Sequence, residues 1–101
     1  MVVNCTTLGE VRNNIDRVDE QIVTLLAERG RYVSQAARFK KDAESVKAAQ
    51  RVEQVIDKVR ELSNAAGANP EVTEQVYRAM IAAFIQQELA EHAALASHQT
   101  T

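Results

Sequence analysis

Thr7-Leu8-Gly9-Glu10-Val11-Arg12-Asn13-Asn14-Ile15-Asp16-Arg17-Val18-Asp19-Glu20-Gln21-Ile22-Val23-Thr24-Leu25-Leu26-Ala27-Glu28-Arg29 decides the fold. Thr7 reads as the N-cap of a capping box, with Glu10 reaching back from the third helical position. Leu8, Val11, Ile15, Val18, Ile22 and Leu25 then recur in alternating steps of three and four. That is a heptad-like seam, resumed after an interruption by Val33, Ala36 and Phe39. No Pro breaks the run before Lys41, and Gly30 is its one weak interior residue. The pattern predicts a helix of about 34 residues, about 50 Å long at 1.5 Å per residue.

The rest of the chain bounds what such a helix can do. A compact globule of 101 residues has a radius of gyration of about 13 Å and is roughly 33 Å across. A helix of about 50 Å overshoots it, so its far half must bury the seam against another chain. A two-fold dimer of interlocking helices is the simplest solution.

The expected fold is all-α, three helices per chain in an intertwined homodimer. The chain forms a single domain over residues 1–101, with flexible ends at about 1–6 and 95–101. Asp42 to Ala49 lacks periodicity and reads as a loop. Val52, Val55, Ile56, Val59 and Leu62 mark a second helix ending near Gly67. Asn69-Pro70-Glu71 opens a third, with Val72, Val76, Tyr77, Met80, Ile81, Phe84, Ile85 and Leu89 facing inward.

Composition removes whole classes of function. Three Gly and one Pro leave little punctuation for a sandwich or barrel. A net charge of −2 provides no electrostatic footprint for nucleic acid or an anionic membrane. A single cysteine, Cys5, excludes an internal disulfide framework, and His92 and His98 have no partner at metal-ligand spacing. No stretch reaches the length of a membrane span, and the N-terminus has no basic segment leading into an apolar core. A soluble, cytoplasmic protein without metal or cofactor is expected.

The residues that break the apolar pattern carry the chemistry. Four positions after Leu25 the seam places Arg29 where a Leu belongs. Lys40 follows eleven residues later, and eleven steps of 100° return to within about 20° of the same face. Val33 and Ala36 form an apolar floor between the two cations. In the third helix, Tyr77, Ile81 and Phe84 lead to Glu88 at the next inward position. Arg51 opens the second helix beside Val52, and Arg12 lies about 100° off the first seam.

Each residue alone has a plainer reading. Arg29 could be a snorkelling rim residue or an intersubunit ion pair. Lys40 could complement a helix C-terminus, and Glu88 could partner one of the cations. Together they place cations and a carboxyl against an apolar interior, with no nucleophile or phosphate loop. Such a site suits positioning and charge stabilisation of a small polyanion.

The segment Val11-Arg12-Asn13-Asn14-Ile15-Asp16-Arg17-Val18-Asp19, through Leu25-Leu26-Ala27-Glu28-Arg29 to Arg38-Phe39-Lys40, resembles the all-helical chorismate mutase family. Arg51-Val52 and the run from Tyr77-Arg78 to Glu88 extend the likeness over nearly the whole chain. Isochorismate pyruvate lyases share this fold and much of this pattern.

The resemblance implies two active sites per intertwined dimer, each holding a small dianionic substrate, chorismate or isochorismate. Arg12, supplied by the partner subunit, and Arg29 would bind its two carboxylates. Lys40 would donate to the ether oxygen and a carboxylate, Arg51 would support the carboxylate side, and Glu88 would face the ether oxygen opposite Lys40. Val52 and Phe84 fall at substrate-facing positions. There the sequence departs from several mutases, which carry a glutamate where Val52 stands, an aspartate at Ala48 and a serine at Phe84. The loop before Arg51 is one residue shorter, as in the lyase branch.

Three readings follow. The first is a chorismate mutase, rearranging chorismate to prephenate. The second is an isochorismate pyruvate lyase, forming salicylate and pyruvate. The third is a non-enzymatic helical dimerisation module whose cations only specify pairing.

Overall fold

A computed structural model describes residues 2–39 and 48–99, with side chains described as far as residue 94. The chain is all-α: α1 spans Leu8–Ala37, α2 Ala49–Ala66 and α3 Pro70–Gln99. Among the described residues there is no strand. No helix among them is long and apolar enough to cross a membrane. Two compact units result, residues 1–33 and residues 34–101.

In the first unit the cap forms largely as its sequence dictates. The Glu10 N–H donates to Thr7 Oγ1 at 3.1 Å. The reciprocal arm reaches one residue further back than a capping box requires, because Glu10 Oε2 accepts from the Thr6 N–H at 2.8 Å. The Thr6 backbone N–H, helped by its hydroxyl, holds the Glu10 carboxyl below the ordinary carboxylate range. Asn14 Nδ2 donates to the Glu10 carbonyl at 3.0 Å and to Cys5 Sγ at 3.6 Å, tying the lead-in to the helix.

The α1 helix has 30 residues, about 45 Å at 1.5 Å per residue. It stops four residues short of the expected end. The N–H groups of Arg38 and Phe39 turn back to Gln35 and Ala36, three residues away, so the last turn tightens and closes. None of its residues is buried, and the seam from Leu8 to Leu25 is exposed along its length. Farther along, the half-buried stripe is Leu26, Arg29, Gly30, Val33, Ser34 and Ala37. Ala36 and Phe39, expected on the inward face, are exposed.

In the second unit α2 and α3 form an antiparallel hairpin. The α2 helix already begins at Ala49, within the stretch expected as loop; the remainder of that loop lies outside the described residues. Its end is a Schellman turn. Gly67 takes φ 75° and ψ 22°, its N–H donates to the Asn64 carbonyl, and the Ala68 N–H donates to the Ser63 carbonyl at 2.8 Å. Asn69 then caps α3, its Oδ1 accepting from the Glu71 N–H at 3.0 Å beside Pro70 at the first helical position. The α3 helix continues to Gln99.

Ile56, Val59 and Ile81 are the buried apolar residues of the hairpin, joined by Ser63 and Glu88. Leu62, Val72 and Val76, expected inward, are exposed. Only one face of α3 can meet α2, and Val72 and Val76 lie about 180° and 140° round the axis from the buried Ile81. Arg60 Nη2 donates to Glu71 at 2.8 Å and Arg60 Nη1 to Glu74 at 2.7 Å. These bonds lie on the side of α3 that faces α2, where Thr73, Glu74 and Tyr77 are half-covered while Val72 and Val76 are exposed. On α2, Ser63 takes the inward slot one turn past Val59, and Leu62 points outward.

The ion pairs continue toward the start of α2. Arg78 Nε donates to Glu74 Oε2 at 2.8 Å. Its two terminal nitrogens donate to both oxygens of Glu53 at 2.9 and 3.0 Å. Arg78 holds the Glu53 carboxyl below its ordinary range, and Arg78 and Arg60 do the same to Glu74. The two guanidiniums are correspondingly harder to deprotonate, Arg60 through Glu71 and Glu74, and Arg78 through Glu53 and Glu74. The depressed carboxylates stabilise the fold fully above their unfolded values. That stabilisation is lost as pH falls through the lower folded ones.

Candidate active site

Arg12 and Arg29 both lie on α1 within the first unit. Arg12 is exposed, as are the seam residues around it. Arg29 is half-buried in the covered stripe, between Leu26 and Val33. With Ala36 outside that stripe, the small floor beside Arg29 consists of Gly30, Val33, Ser34 and Ala37. Lys40 lies outside the described residues.

Arg51, Val52, Phe84 and Glu88 belong to the second unit. Arg51 is exposed on the first turn of α2, and Val52 is half-buried beside it. That turn has little local support. Its N-cap is Ala48, which offers no side-chain acceptor, and no acid occupies the first turn.

Phe84 and Ile85 are half-buried on α3, and Glu88 is only 5% exposed. Glu88 stands one turn beyond Phe84 and two beyond the buried Ile81, on the same face. It is the one buried charged residue among the described residues. No buried side-chain nitrogen or oxygen among them lacks a hydrogen-bond partner, so the carboxyl is not an orphan. Burying a carboxyl costs free energy unless it is hydrogen-bonded or neutral. The Glu88 carboxyl meets that condition by hydrogen bonding, at the position where the apolar stripe of α3 is broken.

Sequence reading finds Glu88 because it interrupts an apolar stripe. It passes over Arg78, whose signal is weaker. The Glu74–Arg78 spacing of four is visible along the chain, but the Glu53 partner lies 25 residues away. Among the described residues no group of three or more His, Cys, Asp or Glu could hold a metal ion.

A family model, chorismate mutase type II, matches residues 11–89. The chain belongs to the type II chorismate mutase family. The matched span runs from before Arg12 to just past Glu88, so all seven candidate residues fall inside it. A curated relative is the isochorismate pyruvate lyase of Pseudomonas aeruginosa, 29% identical over 86 residues that make up 85% of each chain. Membership in the family and this relative support an enzyme, either isomerase or lyase.

Proposed function

We propose that the chain is a chorismate mutase, catalysing the Claisen rearrangement of chorismate to prephenate. The observation that carries the reading is Glu88, a carboxyl buried on the apolar face of α3 within the family-matched span. The reaction is intramolecular. An ether C–O bond breaks as a C–C bond forms, and negative charge grows on the ether oxygen. No proton transfer or covalent intermediate is required.

Two tasks are left for the protein: holding a near-attack conformer and stabilising the developing charge. Arg12 from the partner subunit and Arg29 clamp the two carboxylates, with Arg51 supporting that side. Lys40 donates to the ether oxygen from one side and Glu88 from the other. Val52 and Phe84 wall the ring with apolar surface.

The exposed seam of α1 supports a homodimer, in which a second copy covers Leu8 through Leu25. The sharing of Arg12 across the interface accounts for an arginine placed off its own helix's seam. We place the dimer in the cytoplasm, with the whole chain acting as one domain.

A second reading has its own support. Val52 is apolar where several mutases use a glutamate to hold the ring hydroxyl, and the relative is named for isochorismate. Isochorismate pyruvate lyase would use the same cations to eliminate pyruvate. Incubating the protein with chorismate and following the product by proton NMR tests the proposal. Prephenate is expected; chorismate recovered unchanged contradicts it.

A further inference from the structure

We propose that Arg78 is a positioning residue that sets the first turn of α2, and through it Arg51, by clamping Glu53 to α3. The inference rests on the proposed role of Arg51 in binding a dianionic substrate. Three observations lead to it. The turn that presents Arg51 has Ala48 at its N-cap, no side-chain cap and no acid to offset the helix dipole. Its described side chains are exposed except for the half-buried Val52, and full burial begins only at Ile56. Yet Glu53, two residues beyond Arg51, is fixed to α3 by both its oxygens, at 2.9 and 3.0 Å from the two terminal nitrogens of Arg78.

A bidentate guanidinium–carboxylate pair fixes orientation as well as distance, which a single contact does not. Arg78 is itself held from behind. Its Nε donates to Glu74, whose other oxygen accepts from Arg60 on α2, and Arg60 also donates to Glu71. The chain of pairs therefore crosses between the helices three times and holds the Arg78 guanidinium from both sides. A helical turn is stiff, so holding Glu53 sets the angle at which Arg51 leaves the helix, about 200° away around the axis. Both members of the clamp are partly exposed, so it adds little to global stability. Its effect is local.

Two substitutions separate positioning from charge. Arg78→Met removes the clamp, and Arg78→Lys keeps the charge but cannot form the bidentate pair. Amide exchange of residues 49–53 is read by mass spectrometry without substrate, together with Tm. KM and kcat are then measured on whichever of chorismate and isochorismate the wild type turns over. Both variants should exchange faster over 49–53 at nearly unchanged Tm. Each should raise KM about two- to fivefold with kcat little altered, and the KM effect should vanish in an Arg51→Ala background. If Arg78→Met is poorly folded, Glu53→Gln removes the same clamp from the other side and should reproduce the pattern.

Unaltered exchange in the clamp-free variants overturns the proposal, as does a lysine variant equal to wild type. A KM that stays at the wild-type value while exchange accelerates, or a KM effect that persists without Arg51, also overturns it. Failure to turn over either substrate contradicts the mutase reading. The exchange measurement then still decides the clamp.

Discussion

Ile22→Asp should break the proposed dimer, and the size of the effect follows from the exposure of the seam. Leu8, Val11, Ile15, Val18, Ile22 and Leu25 are 61, 40, 52, 41, 48 and 61% exposed in the single chain. Fully burying a residue of this kind stabilises by about 1.5–3 kcal/mol, so covering the remaining half of Ile22 contributes about 0.7–1.5 kcal/mol. An isologous interface contains the position twice. Losing it therefore costs about 1.5–3 kcal/mol, which weakens the dimer roughly 10- to 150-fold. Desolvating two carboxylates adds to that loss.

Sedimentation velocity over a dilution series reads the change directly. The wild type should sediment at twice 11.2 kDa, and the variant should dissociate at much higher concentration. Activity should fall over the same concentration range if, as proposed, each site takes Arg12 from the other subunit. A variant that dimerises like the wild type would refute the reasoning. A wild-type monomer with full activity would refute both the interface and the shared site.

Three further outcomes are expected. Mixing inactive Arg12→Ala and Lys40→Ala chains should restore activity, since a heterodimer contains one site with both residues; no recovery after confirmed subunit exchange would place Arg12 elsewhere. Glu88→Ala should lower kcat about 10²–10³-fold, as for one oxyanion donor. Glu88→Gln keeps a hydrogen-bond donor at the same reach and should retain most of the rate that Glu88→Ala loses, so a Gln variant as slow as the Ala variant would remove Glu88 from the mechanism. Gly67→Ala meets no neighbour within 4 Å of the new Cβ. It should cost only the left-handed backbone penalty of about 1–2 kcal/mol, read as a Tm lower by about 4–8 °C per kcal/mol, and an unchanged Tm would contradict it.

What the sequence made legible depended on how local the physics was. Thr7, Gly67 and Asn69-Pro70 announce helix ends because a cap is a contact between near neighbours, and all three form. The long first helix was readable from its unbroken seam, although its end was not. The closing turn at Arg38 and Phe39 depends on three-residue backbone bonds that no side-chain pattern marks.

The face of α3 was harder to read, because apolar residues nearly surround it. Val72 and Val76 are apolar like Ile81 and Ile85 but lie on the other side of the helix, so composition alone does not say which stripe meets α2. Glu88 stood out because one charge in an apolar row is conspicuous. Arg12 could be assigned a role only through the family resemblance, since an exposed arginine has no pattern of its own. Arg78 was not legible because its clamp on Glu53 joins residues 25 apart in the chain.

Turnover of chorismate and isochorismate by the same preparation, compared as kcat/KM, tests the central claim most directly. Chorismate should be converted to prephenate with the larger kcat/KM, and the activity should be lost in Arg29→Ala. Release of salicylate and pyruvate from isochorismate, with chorismate left unconverted, would contradict it.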